Sequence, residues 1–352
     1  MADVSAAGDV LEERYVLSRR LGEGAAGAVW LARDCRLKVN VALKLLRPEV
    51  VQIAGMLERF AQESDVSSRM LSPNVVKVLG GGLTAGGTPY IVYEELDGED
   101  LGTKLARSKR LSLGDMSTIA VHLCRGLARA HGVGVLHNDI KPENVFLTKD
   151  TSGNLLAKIL DFGVAERMKK GAPETPNVRG GPPMPPDGSL AGSGSLNDLH
   201  ELVGTLEYIA PEVFLGKRAP SPQSDLYSVG VVAYECCTGR LPRPASSFID
   251  LVLAFAGGPI ELPSAYRLEV TPELDAWFER ALHDDPDARF ESAKAMAEAL
   301  HVVMMTVVDR GSSRRLIDAE LRSIRPASVA DPEERARTSS YSLVPGRERD
   351  GD

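Results

Sequence analysis

Residues 137–163 read HNDIKPENVFLTKDTSGNLLAKILDFG, and this run decides the fold. It gathers Asp139, Lys141, Asn144 and Asp161 into one short stretch. Two carboxylates and an amide oxygen suit hard divalent cations, and a nearby lysine suits phosphate oxygens. Moving a phosphoryl group asks little covalent chemistry of a protein. It asks for positioning, for cations that neutralise phosphate charge, and for one carboxylate aimed at the incoming hydroxyl. The spacing Asp-x4-Asn followed by Asp-Phe-Gly supplies those parts.

The chain has 352 residues, 43% hydrophobic and 26% charged, enough for a full core in two lobes or domains. A formal charge of −8 lacks the basic footprint of a nucleic-acid binder, so nucleic acid is not expected as a partner. The four cysteines, Cys35, Cys124, Cys236 and Cys237, are scattered without a C-x-x-C. That pattern fits reduced thiols in a cytoplasmic protein rather than a disulfide framework or a zinc site. The opening MADVSAAGDVLEER is polar and acidic, unlike a signal peptide. The most apolar runs, 229–237 and 299–308, fall well short of the roughly 18 residues of a membrane helix, so no membrane span is expected.

Residues 15–95 alternate short strand-like runs with glycine-rich turns: YVLSRRLGEG, AVWLARD, VALKLL, VVKVLGGGL and TPYIVYEE. One helical stretch over 51–70 interrupts them, which predicts a small antiparallel sheet carrying one helix. From residue 96 the pattern turns helical. Ile119, Leu123 and Leu127, flanked by Ala120, Cys124 and Ala128, predict an amphipathic helix, and 224–238 predicts a buried one. Thr271-Pro272-Glu273 opens another with cap, proline and early carboxylate in favoured order, and Ser292 caps a last helix over 293–308. Two stretches lack the apolar content to fold: the Gly/Pro/Ser-rich 169–195 and the charged tail 309–352.

Leu21-Gly22-Glu23-Gly24-Ala25-Ala26-Gly27-Ala28-Val29 is a G-x-G-x-x-G-x-V between two strand-like runs. Its glycines allow backbone N–H groups close to phosphate oxygens. A dinucleotide-binding site would need a strand before the motif and a helix after it, and no P-loop is present. In Val41-Ala42-Leu43-Lys44, a lysine in an apolar run needs an anion or a partner. Glu63 on the following helical stretch is the candidate.

The set Gly22, Gly24, Gly27, Lys44, Glu63, HND-IKPEN, Asp161-Phe162-Gly163 and Ala210-Pro211-Glu212 resembles the eukaryotic-like serine/threonine protein kinases, in their bacterial form. The resemblance covers about 15–308 in family order. It implies an α+β fold of two lobes: a small antiparallel β-sheet lobe with one helix (15–95) and a larger, mainly helical lobe (96–308). Residues 1–14 are then an extension, 169–195 an insert in the activation segment, and 309–352 a disordered tail. The implied cofactors are ATP and Mg²⁺, with Mn²⁺ as the alternative, and the implied partners are proteins bearing Ser or Thr acceptors. Lys44, paired with Glu63, would hold the α- and β-phosphates, Asp139 would orient the hydroxyl, and Lys141 would steady the γ-phosphate. Asn144 and Asp161 would hold the metal ions. Leu21, Val29, Ala42 and Phe146 would wall the adenine, Glu94 and Leu96 would bond it through their backbone, and bulky Tyr93 would close the pocket behind. His137 would pack, Asp225 would bond the backbone near it, Glu212 and Arg289 would form a buried ion pair, and Thr205 would contact Asp139 and Lys141.

Asn138 departs from the family, which usually places Arg before the catalytic Asp. In members with Arg, that cation is neutralised by a phosphorylated residue of the activation segment. Asn carries no charge to neutralise, so the resemblance implies basal activity without that phosphorylation. A scaffold lacking catalysis would not need the full set of Lys44, Glu63, Asp139, Asn144 and Asp161. A small-molecule phosphotransferase would not need Gly204–Glu212, whose GTLEYIAPE shapes a peptide site in the family.

Overall fold

A computed structural model describes residues 6–23, 27–46, 72–161, 166–167, 206–256, 258 and 260–307. The smaller lobe is a six-stranded antiparallel sheet. Its strands are β1 (Val10–Leu11), β2 (Tyr15–Glu23), β3 (Gly27–Asp34), β4 (Val39–Leu46), β5 (Val78–Leu83) and β6 (Pro89–Glu94), in the order β1-β2-β3-β4-β6-β5. Alternation sorts the side chains of β4: Val41, Leu43 and Leu45 are buried on one face, and Ala42 and Lys44 are half-buried on the other. The first face packs with Leu11, Tyr15, Leu17, Trp30, Ala32 and Val92. On the opposite face Leu46, Val76, Val78, Ile91 and Tyr93 cluster, with Ala42, Leu96 and Leu160 against them.

The sheet begins ahead of the strand pattern read from the sequence. Val10 pairs with Val16, and Leu11, only 2% exposed, joins the core. The run from Val75 starts as strand only at Val78, because Val75 bridges to Ile159 of the larger lobe instead, with Val76 N donating to Ile159 O and Ile159 N to Asn74 O. The helical stretch expected over 51–70 lies outside the described residues, as do 169–195 and 309–352.

The larger lobe holds α1 (Leu101–Ser108), α2 (Leu113–Gly132), α3 (Pro211–Phe214), α4 (Pro222–Thr238), α5 (Phe248–Ala256), α6 (Pro272–Ala281) and a last helix α7 over 293–307. Ser112, Ser221, Thr271 and Ser292 cap their helices as acceptors from backbone N–H groups. Gly239 closes α4 in the left-handed conformation. Helix α4 is buried from Ser224 to Thr238 except at Glu235, which is half-buried like Pro222 and Gln223 of its first turn, as its composition predicts.

The stripe of α2 needs one correction. Ile119, Ala120, Leu123, Cys124 and Leu127 are buried, but Ala128 is exposed, and Gly126 and Ala130 take the interior places. Each i+4 step rotates about 40° around a helix, so the line Ala120–Cys124–Ala128 leaves the buried face by its third residue. The sequence reading also missed short strands among the helices. These are β7 (Glu99–Asp100), β9 (Val145–Lys149) and β10 (Leu155–Ile159) in one small sheet, and β8 (Val135–Leu136) with β11 (Glu166–Arg167) in another.

Two ion pairs fix the ends of this framework. The Arg289 guanidinium, shielded from solvent, bonds both Glu212 oxygens at 2.8 and 2.7 Å and also the carbonyls of His283, Gln223 and Asp284. Every donor of the fork has an acceptor, which is what a buried guanidinium requires. No helix among the described residues is long and apolar enough to cross a membrane.

At the β3–β4 turn, Asp34 is 1% exposed. It accepts from Arg14 Nε and Nη2 at 3.0 and 2.7 Å and from the backbone N–H groups of Arg36 and Leu37. The Arg14 guanidinium, opposed by burial and helped by the two amides, holds the carboxyl at about 2, below its ordinary 3.8. A depressed carboxyl stabilises the fold above its ordinary value and loses that contribution as pH falls through the depressed one. We therefore expect the native chain to lose about 1–2 kcal/mol between roughly pH 5 and pH 2 that Asp34→Asn does not lose. Urea-unfolding midpoints across that range check it.

Candidate active site

The turn between β8 and β9 carries the sequence-predicted cluster. Its shape is set by Asp225 on α4, whose Oδ2 accepts from His137 N at 3.0 Å and whose Oδ1 accepts from Asn138 N at 2.8 Å. His131, at the end of α2, adds Nε2 to Oδ2 at 2.8 Å, a partner the sequence reading did not include. Asn138 adopts φ 65°, a left-handed conformation that Asn tolerates better than most residues. The His137 ring is fully buried. Its Nδ1 accepts from Asp139 N at 3.2 Å, so Nε2 carries the proton and donates to Leu160 O at 2.9 Å. These bonds make His137 a structural tie and leave it no free nitrogen for proton transfer.

Beyond the turn, Asp139 is held from two sides. Asn144 Nδ2 donates to its carbonyl at 2.7 Å and to its Oδ2 at 2.8 Å, and Lys141 Nζ lies 3.2 Å from the same Oδ2. The carboxylate stays 25% exposed, open to an incoming group. Leu160 N donates to Asn144 O at 2.8 Å, which ties the Asp161 end of β10 to the same turn. Asp161, at φ 51°, then meets Lys44 from the smaller lobe, Nζ to Oδ2 at 2.8 Å. Lys44, Asp139, Lys141, Asn144 and Asp161 are thus brought into two linked clusters. Glu63, Gly24, Phe162, Gly163 and Thr205 lie outside the described residues.

Above the turn, Val29 and Ala42 are half-buried on adjacent strands, Leu21 is 43% exposed, and Phe146 is half-buried on β9. Tyr93 is buried in the cluster behind them. Gly22 and Gly27, alike in the motif, differ in their surroundings. A Cβ on Gly22 would meet nothing within 4 Å, whereas a Cβ on Gly27 would fall 1.9 Å from the Leu45 carbonyl oxygen. Gly27 is therefore required by the close approach of β3 to β4, whatever else binds there.

Three features of the site were not read from the sequence. Tyr208, in the segment before α3, donates its hydroxyl to Glu235 at 2.6 Å, and burial pushes the Glu235 carboxyl up. Glu207 beside it accepts from Ala245 N and is likewise raised by burial. Glu94 engages its side chain as well as its backbone, through Lys158 on β10. Charged residues this far apart in sequence carry no local signal of their pairing.

The two glycines provide a test. Gly27→Ala should lower the thermal midpoint by several degrees, about 1–3 kcal/mol of strain. Gly22→Ala should leave it within about a degree. Differential scanning calorimetry of both variants reads the contrast.

Residues 15–301 match the family described as the protein kinase domain. The chain is 31% identical over 316 residues to the serine/threonine-protein kinase Pkn1 of Myxococcus xanthus, covering 90% of this chain and 42% of that one. It is 31% identical to the serine/threonine-protein kinase PknB of Mycolicibacterium smegmatis, covering 91% and 48%. It thus spans about half the length of these curated relatives. The crystal structure of the Mycobacterium tuberculosis PknI kinase domain superposes with a TM-score of 0.59 at 26% identity, covering 86% of this chain and 99% of that one. With the two-lobed fold and the cleft clusters described above, these matches agree on one assignment: the chain belongs to the protein kinase family, in its eukaryotic-like serine/threonine branch found in bacteria.

Proposed function

We propose that this chain transfers the γ-phosphate of ATP to Ser and Thr hydroxyls of proteins, including its own, with Mg²⁺ or Mn²⁺ as the metal. The observation that carries the reading is the double pairing in the cleft, Lys44 with Asp161 and Lys141 with Asp139. Each lysine is a ready phosphate partner and each carboxylate sits where a cation can be taken up. A metal-bound nucleotide exchanges both pairs without leaving a charge uncompensated. The donor set also fits the metal, since Asp161 and Asn144 offer carboxylate and amide oxygens, the hard ligands that Mg²⁺ prefers.

In this reading Asn144 and Asp161 hold the metal, which when bound neutralises charge on the phosphates. Lys44 holds the α- and β-phosphates with Glu63 as its partner, and Lys141 steadies the transferred group. Asp139 accepts the hydrogen bond of the substrate hydroxyl and, as transfer proceeds, its proton. Asn144 keeps Asp139 in place through the two bonds from its amide nitrogen. Leu21, Val29, Ala42 and Phe146 enclose the adenine, and the backbone of Glu94 and Leu96 bonds its edge. Gly22, Gly24 and Gly27 let backbone N–H groups approach the phosphates. The kinase domain runs over 15–308, preceded by a short extension and followed by a charged tail. The offset of Lys141 and the segment ending in Ala210-Pro211-Glu212 favour Ser and Thr on proteins over small-molecule acceptors.

Asn138 bears on regulation. It meets the backbone demand of a positive φ and offers no charge for a phosphate to neutralise. Basal turnover therefore does not depend on a phosphorylated activation segment.

Two measurements test these statements. With labelled ATP and a generic basic protein, Asp139→Asn should reduce transfer by about 10²–10⁴-fold, and Asp161→Asn should abolish it. Equal transfer by the native chain and both variants would count against the assignment. Phosphatase treatment of the native protein should leave most of its turnover intact, and loss of turnover on that treatment would overturn the role given to Asn138.

A further inference from the structure

Glu94 ends β6, and its backbone lies at the proposed adenine edge. Its side chain turns to other work. Oε1 accepts from Lys158 Nζ at 2.7 Å and from Lys77 N at 2.9 Å, while Glu94 N donates to Lys77 O at 3.0 Å. The ion pair is well shielded, with Lys158 at 11% and Glu94 at 28% side-chain exposure. One carboxylate oxygen therefore joins three segments: the end of β6, the chain entering β5, and β10 of the larger lobe.

The position of Lys158 gives this joint its interest. In the β9–β10 ladder Lys158 stands directly opposite Phe146, the proposed adenine floor, and opposite residues share one face of a sheet. Three residues further along the same chain lies Asp161, the proposed metal ligand. The segment 74–77 is fastened to the same strand, since Val76 N donates to Ile159 O, Ile159 N to Asn74 O, and the buried Asn74 amide to Ala157 O. Glu94 completes that seam with a charged contact to Lys158 of β10.

We propose that the Glu94–Lys158 ion pair is a latch that holds the adenine edge, the adenine floor and the metal-binding end of β10 in one fixed relation. Glu94, through its side chain, and Lys158 are thus positioning residues for the nucleotide. The inference rests on the kinase reading of the cleft. Opening the latch lets the edge move away from the floor, which shortens the life of the bound nucleotide without removing any group that reacts.

Glu94→Gln keeps the acceptor for Lys77 N and removes the charge, and Lys158→Met keeps the stem beside Phe146 and removes the ammonium. In the full chain, each should raise the dissociation rate and Kd of a fluorescent ADP analogue, measured with Mg²⁺, by roughly 3- to 10-fold. The double variant should go no further than either single one, because both remove the same contact. Lys158→Arg, which keeps the pair, should bind as the native chain does. In steady state the KM for ATP should rise while kcat holds or increases; a merely structural defect would lower kcat with the folded fraction and leave KM alone. Unchanged ADP dissociation in Glu94→Gln and Lys158→Met, or additive effects in the double variant, would overturn the latch while native binding upheld the kinase reading. Failure of the native chain to bind the analogue would remove that reading and the latch with it.

Discussion

The carboxylate of Asp225 organises the turn that carries Asp139, Lys141 and Asn144. It is 1% exposed and takes hydrogen bonds from two consecutive backbone N–H groups and one imidazole. A buried anion needs several donors to offset its lost hydration, and a turn with two N–H groups pointing one way supplies them. The requirement runs in both directions. The turn at His137–Asn138 takes its left-handed kink because the anion is there, and the anion is tolerated because the turn is. Helix α4, buried nearly all round, provides the rigid post on which this exchange stands.

From that post, order passes outward by short bonds. His137 links the turn to Leu160, Asn144 links Asp139 to its own loop and to β10, and Lys44 brings the smaller lobe to Asp161. Among the described residues, Lys44 and Lys141 thus stand against Asp161 and Asp139 at close range. A charged ligand would enter such a site by exchange of partners, so geometry would count for more than net field. Glu212 with Arg289 performs the complementary task at the far end, holding α3 against the helical floor by a pair whose donors are all engaged.

Much of this was legible in the sequence because the residues that act together at the turn are neighbours in it. Asp139, Lys141 and Asn144 fall within six residues of one another, and Asp161 lies one hairpin away. Strand alternation in β4 and the caps at Ser292 and Thr271 were equally readable, since both are local rules. Ala128 was misread because alanine fits either side of a helix and an i+4 line drifts off the buried face. The two-residue strand β1 escaped notice inside a polar stretch, where only its pairing with β2 reveals it. The contacts of His131 with Asp225 and of Glu94 with Lys158 span distances over which a sequence full of charges offers many equal partners. Only the fold selects among them.

The links between the Asp139 and Asp161 carboxylates bear on how freely the sequence can change. Leu160 N donates to Asn144 O and Leu160 O accepts from the His137 ring, so Asp161 is placed relative to the Asp139 turn by the main chain of Leu160 and by one imidazole. Every residue type except proline brings the same donor and acceptor, so the side chains of the intervening hairpin can drift while the separation is inherited from topology. At roughly 30% identity to bacterial kinases the chain has most of its letters changed, yet it keeps the protein kinase fold.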